Sequence, residues 1–201
     1  YAPCSIDDLV SRNMDYWALG HIHRFQVLRE SNPAVVYSGN TQARHVRETG
    51  EKGCCLVTLH KNASPEVQFF PTDVVRYIQS ELDMSGTISL DEVITGVRSE
   101  CEHLANKVEG RDIFINLTLS GRTRIHSKLT RGDTLEVIQE EVRSYFEAKV
   151  PSVWLELKLD TYGIYDMESL RQGKNFVADL IALFDDEERS ETHDELKEVL
   201  K

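Results

Sequence analysis

A short apolar segment followed by two closely spaced histidines constrains the fold of this chain more than any other stretch. Tyr16–Leu19 has the aromatic and aliphatic composition of a buried β-strand. Gly20 follows and allows the backbone to turn out of the sheet, because glycine has no side chain to obstruct the turn. If the extended conformation persists through Ile22, then His21 and His23 point the same way, since strand side chains repeat every two residues.

These two imidazoles are candidates for a metal site. Imidazole is the commonest protein ligand of zinc, and it also binds manganese and iron. The pair has an ordinary alternative, because histidines that follow a strand also cap backbone groups or pack against the protein. The residues alone leave both interpretations open and identify no certain catalytic group.

The motifs around the histidines resemble those of a known family. Residues 15–23 read Asp-Tyr-Trp-Ala-Leu-Gly-His-Ile-His, residues 37–42 read Tyr-Ser-Gly-Asn-Thr-Gln, and residues 51–53 read Glu-Lys-Gly. Together they resemble the last core motif of the calcineurin-like metallophosphoesterases, and within them the SbcD-type DNA repair exonucleases and their YhaO-like branch. The resemblance implies a metal-dependent DNA exonuclease or phosphodiesterase. In such an enzyme His21 and His23 would each bind one ion of a two-metal centre, with manganese as the expected metal.

The same resemblance implies that most of the metal ligands lie outside this chain. Members of the family carry an Asp-x-His, an Asp, an Asn-His and a further His ahead of this motif, and none of these patterns precedes His21. A two-metal site must hold its ions about 3.5–4 Å apart, which two histidines cannot do. We therefore expect the C-terminal part of a longer protein. The intact protein should hold two divalent ions, whereas the fragment can lack them and should have no nuclease activity by itself.

Composition narrows the setting in which the protein works. No apolar run approaches the roughly 18 residues that span a membrane, and no secretory signal is visible. The four cysteines lack C-x-x-C spacing, which favours reduced thiols in a cytoplasmic protein. The net charge of −11 argues against nucleic-acid binding over the whole surface. Residues 1–70 nevertheless balance seven basic against seven acidic side chains, so DNA binding near the histidines is allowed.

The order of predicted elements describes an α/β protein in three parts. Residues 1–70 are expected to form the closing half of a metallophosphoesterase β-sandwich core. A strand, helix, strand, helix, strand order then predicts a small α/β module over residues 71–165, which the resemblance identifies as the capping domain. Residues 166–201 are predicted to be C-terminal helices, separated by an acidic linker at residues 185–191.

A basic stretch precedes Asp133, which we expect to cap the helix that follows. Arg122, Arg124, His126 and Lys128 fall at every second position, and Arg131 lies beyond them. An extended backbone would align the first four on one face as a track for DNA phosphates. The alternative is an edge strand whose charges oppose aggregation.

Three further residues are candidate phosphate contacts. Asn40 lies within the second motif, and Arg44 and His45 follow it closely, so all three are expected near the metal centre. Each is equally explained as loop chemistry, because Asn favours turns and Arg is usually exposed.

The C-terminal segment is a candidate docking element. Its apolar residues recur at helical spacing, a pattern more typical of core than of a binding surface. SbcD-type nucleases pair with a coiled-coil ATPase, so the resemblance implies that this helix docks an SbcC/YhaN-like ATPase. DNA and a second copy of the chain are the other expected partners. Two functions compete with the nuclease: a non-catalytic capping and docking module, and a phosphoesterase of a small nucleotide. The predicted helical face comprises Phe176, Val177, Leu180, Ile181 and Phe184.

Overall fold

The computed structural model describes residues 3–147, 149, 151–173 and 176–189. The chain divides into two compact units, Tyr1–Tyr162 and Gly163–Lys201. The first unit contains three sheets with their helices, and the regular structure described in the second unit after Gly163 is helical. This mixture of helices and sheets confirms the predicted α/β class.

The first sheet has the strand order β1-β3-β2. A short helix leads into it, capped by Ser5, and Trp17 of β1 donates its indole N–H to the Leu9 carbonyl at 3.2 Å. β1 and β3 are parallel, from the pair Tyr16 and Ala34 to the pair Leu19 and Tyr37. The predicted strands are confirmed, although β1 is half-buried and β3 is the buried strand. The elements are α1 (Ile6–Val10), β1 (Tyr16–Leu19), β2 (Gln26–Arg29) and β3 (Ala34–Tyr37).

The second sheet is an antiparallel pair, β4 (Gly53–Thr58) and β5 (Glu66–Pro71). Its alternating burial is typical of strands with one face towards the protein. Gly53 is the tightest position, because a Cβ atom built there would lie 2.0 Å from the Phe70 carbonyl oxygen. Only glycine therefore fits where the two strands meet.

The third sheet carries the main hydrophobic core. Its order is β6-β7-β8, with β6 and β7 parallel. Side chains of β7 such as Ile115 and Leu117 are fully buried, and so are Val97 and Val142 from the two long helices. The predicted strand and helix order is thus confirmed. The elements are β6 (Val75–Asp83), α2 (Leu90–Asn106), β7 (Asp112–Thr123), α3 (His126–Leu129), α4 (Thr134–Phe146) and β8 (Val153–Gly163).

The prediction that the Asp133 side chain caps α4 is wrong. Asp133 occupies the capping position, but its side chain makes no capping hydrogen bond. Its φ of −96° and ψ of 15° depart from the extended conformation that a capping side chain requires. The Thr134 hydroxyl instead donates to the Arg131 carbonyl at 2.7 Å.

The second unit contains α5 (Met167–Arg171) and α6 (Phe176–Arg189). The acidic linker predicted at residues 185–191 is wrong over its described part, because α6 continues through Arg189. Glu and Arg are good helix formers, and no Gly or Pro interrupts the run. The remainder of that stretch lies outside the described residues. Among the helices that the structure describes, none has the length and apolarity to cross a membrane.

Gly53→Ala should destabilise the first unit. The added methyl group meets the backbone of β5, so the two strands must separate, and we expect the free energy of unfolding to fall by about 1–3 kcal/mol. Urea denaturation measures the change. Gly20→Ala is the matched control, because a Cβ there meets nothing within 4 Å. Equal stability of the two variants would contradict the prediction.

Candidate functional site

The two histidines lie where the first sheet ends. Because β1 and β3 are parallel, the loops that follow Leu19 and Tyr37 leave from the same edge. Gly39, with a φ of 76°, packs against the backbone of the histidine loop. A Cβ atom on Gly39 would lie 3.0 Å from the Phe25 nitrogen and 3.3 Å from the His23 oxygen. This contact confirms the prediction that residues 38–40 return beside the histidines.

The exit from β1 differs from the prediction. The positive φ, 80°, occurs at His21 and not at Gly20. The strand ends at Leu19, so the extended conformation does not persist through Ile22. Strand alternation therefore does not align the His21 and His23 side chains, and this prediction is wrong. Both His21 and His23 are exposed, which excludes the alternative that they are packed in the interior.

A carboxylate organises the residues around His23. His23 Nδ1 lies 2.6 Å from Glu48 Oε1. The other oxygen, Oε2, accepts from Asn40 Nδ2 at 2.8 Å and from the Arg44 backbone N–H at 3.0 Å. The hydrogen bond with His23, followed by those from Arg44 and Asn40, lowers the pKa of Glu48 from 4.5 to about 2. The carboxylate is therefore ionised at neutral pH.

The structure brings all three predicted phosphate contacts to this carboxylate. Asn40 binds it through the side chain and Arg44 through the backbone, while the exposed His45 has its Nε2 3.5 Å from Oε1. Asn40 Oδ1 is buried and has no hydrogen-bond partner. Sequence reasoning missed Glu48 itself. The sequence offered one indication of Glu48: it is the only acidic residue among residues 41–50, which also contain Arg44, His45 and Arg47.

Lys52 of the Glu-Lys-Gly motif holds the backbone of the histidine loop. Its side chain is buried, and its amine donates to the His23 carbonyl at 2.9 Å. The next residue, Gly53, donates its N–H to the Asn40 carbonyl at 2.9 Å. Because a buried ammonium group is costly unless it is hydrogen-bonded, the position of Lys52 restrains His23 as well.

A largely buried ion cluster is formed around Asp73, just before β6. Arg76 donates to both oxygens of the fully buried Asp73 at 2.8 and 2.9 Å, and to Glu51 at 3.1 Å. Arg111 Nε is 3.3 Å from the same Asp73 carboxylate. These contacts connect the segment before β6 with the segment before β7. They raise the pKa of Arg76, chiefly through the hydrogen bond to Asp73.

A cavity of about 550 Å³ adjoins His23. Phe25 and Phe69, whose rings stack with centroids 4.6 Å apart, line it together with Arg24 and Arg47. The cavity combines an aromatic wall with exposed guanidinium groups beside an imidazole, and the carboxylates of Glu48 and Glu51 also line it. Such a surface suits a ligand that has both a ring and an anionic group.

Two comparisons with known proteins indicate which proteins this chain is similar to. Residues 77–161 match the family model described as the middle domain of metallophosphoesterase YhaO. The chain is also 34% identical over 201 residues to the protein named uncharacterized metallophosphoesterase YhaO, from Bacillus subtilis strain 168. This chain is similar to part of a YhaO-type metallophosphoesterase. The alignment covers 98% of the chain but 46% of the relative, so the chain spans about half of its length. The resemblance stated from the histidine motif is confirmed.

The described residues of this YhaO-like chain fit part of a metal centre. His21 and His23 are exposed imidazoles, and the His23 hydrogen bond uses Nδ1, so Nε2 is the nitrogen left for a metal ion. Within the described residues, no group of three or more His, Cys, Asp or Glu side chains is arranged to hold a metal ion. The described donors therefore fit the histidine side of a site that needs ligands from elsewhere.

The basic track predicted in the YhaO-like middle domain is wrong in its geometry. β7 ends at Thr123, and α3 (His126–Leu129) follows a turn, so no extended backbone aligns the charges. The buried Ile125 and Leu129 explain the difference, because residues four apart share one face of a helical turn. The edge-strand alternative is also wrong, since β7 is the central strand. The four basic residues themselves are exposed: Arg122, Arg124, Lys128 and Arg131.

Gln42→Ala should weaken the connection between the motif loop and β6. Gln42 Nε2 donates to the Val75 carbonyl at 2.7 Å, and Oε1 accepts from the Val74 N–H at 2.8 Å. Loss of these partners leaves backbone groups unsatisfied, and we expect the free energy of unfolding to fall by about 1–3 kcal/mol. Chemical denaturation tests this, with Gln68→Ala at an exposed position of β5 as control. A change no larger than the control's would refute it.

Proposed function

We propose that this chain supplies the histidine side of a two-metal phosphoesterase that hydrolyses phosphodiester bonds in DNA. The observation that carries the proposal is the position of His23, which is exposed after the end of β1, held at both ring and backbone, and next to a cavity. The YhaO-like sequence supports a hydrolase. Manganese is the proposed metal, and cytoplasmic DNA repair is the proposed setting.

The residues of this chain have distinct roles in such an enzyme. Two bound ions would activate water and stabilise the attacking and leaving oxygens of an in-line displacement. His21 and His23 supply neutral imidazole donors at the end of β1. Arg24 and Arg47 lie on the cavity wall, where their guanidinium groups can bind the phosphate that flanks the scissile bond.

DNA is the proposed substrate, and a small nucleotide is the alternative. The exposed Arg122, Arg124, Lys128 and Arg131 are proposed contacts to the DNA backbone. They lie at the end of β7, in the turn that follows, in α3 and just beyond α3. The alternative is favoured by the cavity, whose volume of about 550 Å³ suits a single nucleotide. Hydrolysis of a duplex oligonucleotide compared with a nucleoside cyclic phosphate distinguishes them.

The first test replaces the histidines in the full-length protein. His21→Ala and His23→Ala should each reduce the bound manganese from about two ions to about one, and should abolish manganese-dependent hydrolysis. Metal analysis and the oligonucleotide assay measure both effects. His60→Ala is the matched control, because His60 is an exposed histidine that pairs with Glu66 at 3.4 Å.

The isolated 201 residues are expected to be inactive in the same assay. Two results would refute the proposal. One is full metal content in the His23→Ala protein. The other is hydrolysis by this chain that survives loss of both histidines.

We also propose that α6 docks a coiled-coil ATPase of the SbcC/YhaN type. The supporting observation is exposure, since Phe176, Leu183 and Phe184 are 77%, 64% and 61% exposed, and Leu180 is 40% exposed. An amphipathic helix with such side chains fits a hydrophobic groove. A second copy of this chain is the competing occupant, and a purely docking role without catalysis is the competing function.

Charged substitutions on α6 test this docking. Leu180→Asp with Phe184→Asp in the full-length protein should weaken binding of the ATPase more than 10-fold, because buried apolar anchors dominate interfaces. Titration calorimetry measures the affinity. Val137→Asp, at an exposed apolar position of α4, is the control. Unchanged ATPase binding would refute the assignment, and loss of self-association alone would identify the second copy as the occupant.

A further inference from the structure

We propose that Glu48 is a positioning residue: it accepts the hydrogen of His23 Nδ1 and so directs Nε2 towards the metal ion. The inference rests on the proposed function, because it assumes that His23 is a metal ligand. It goes beyond that function by assigning a role to a residue outside the histidine motif.

The two ring nitrogens of a neutral imidazole differ in chemistry. One ring nitrogen carries a hydrogen and the other has the lone pair that binds metal, so the two tautomers are not equivalent ligands. A carboxylate beside one nitrogen selects the tautomer that donates to it. His23 Nδ1 is 2.6 Å from Glu48 Oε1, as short as a charge-assisted hydrogen bond. The geometry therefore selects Nδ1–H and leaves the lone pair on Nε2.

The orientation of the carboxylate is itself determined. Asn40 and the Arg44 backbone both donate to Oε2, so Oε1 is the oxygen that faces His23. The Glu48 side chain is 12% exposed, so the surrounding residues restrict its movement. Lys52 restrains the His23 backbone by donating to its carbonyl. Ring and backbone are thus held by separate groups, which is the arrangement that a preorganised ligand requires.

An ordinary surface ion pair looks different in this protein. The pair of His60 and Glu66 has an N–O distance of 3.4 Å, and its carboxylate is 77% exposed. His45 also approaches Glu48 Oε1, but at 3.5 Å and with 57% of its side chain exposed. Exposed ion pairs of this kind contribute little to the stability of a protein. Of these three histidine–carboxylate pairs, the one between His23 and Glu48 combines a short distance with a carboxylate that other groups hold in place.

Glu48→Gln provides a sharp test because it preserves shape. The atom that replaces Oε2 must accept hydrogen bonds from Asn40 Nδ2 and the Arg44 backbone N–H. The amide oxygen of the new glutamine should therefore take this place. The amide NH₂ then faces His23 and donates to Nδ1. His23 must carry its hydrogen on Nε2, which is the nitrogen proposed to bind metal. We therefore expect this substitution to invert the tautomer, whereas Glu48→Ala should give a mixture.

Two measurements on the full-length protein follow. The first is the ¹⁵N spectrum of histidine-labelled, metal-free protein, in which wild-type His23 should show the Nδ1–H tautomer and Glu48→Gln the Nε2–H tautomer. The second is manganese affinity by calorimetry, which should fall about 10- to 100-fold in both variants, as for other groups that orient metal ligands. Activity should recover towards the wild-type value at saturating manganese. Glu66→Gln is the matched control and should change neither readout.

The outcomes separate the two proposals. An unchanged His23 tautomer in Glu48→Gln would overturn the positioning role, since a merely structural carboxylate would not select a tautomer. Undiminished manganese affinity in both Glu48 variants, with affinity lost in His23→Ala, would also overturn it. If His23→Ala keeps its full manganese content, the proposed function fails, and with it the metal-directing part of this inference.

Discussion

Parallel pairing of β1 with β3 is the constraint on which the site depends. Parallel strands end at the same edge of a sheet, so the loops after Leu19 and Tyr37 begin side by side. The contact of Gly39 with the backbone at residues 23–25 then fixes the distance between them. Any side chain at Gly39 would push the loops apart. The meeting of His23 with Glu48 and Asn40 is therefore a consequence of backbone pairing, and the side chains complete it.

The elements that could be predicted are those with a local periodic signal. The alternation of β4 and β5, the helical spacing of α2 and α4, and the buried residues of β7 follow from the period of each pattern. The α/β class followed from their order. The strand ends could not be predicted in this way: β7 ends at Thr123 and β8 at Gly163. Charged and polar residues at the ends of these strands carry no signal that separates a strand from a turn.

The errors arose where tertiary packing overrode local spacing. The even spacing of Arg122, Arg124 and Lys128 predicted a strand, but burial of Ile125 and Leu129 requires a helical turn. The positive φ at His21 could not be predicted, because the neighbouring glycine is the residue expected to adopt it. Glu48 was missed for a related reason. Its role depends on a partner 25 residues away, and a single sequence does not show such pairing.

The buried ion cluster around Asp73 and the candidate site around Glu48 differ in whether positive charges compensate the carboxylate. In the buried ion cluster, the fully buried Asp73 is paired with Arg76 and Arg111, and removal of Asp73 would leave the buried Arg76 without its main partner. At the site, Glu48 is held by uncharged donors, and His23 adds no fixed positive charge while it is neutral. An ionised carboxylate with only neutral donors keeps its negative charge uncompensated. That charge strengthens the imidazole as a donor to a cation, which a salt bridge from arginine would cancel.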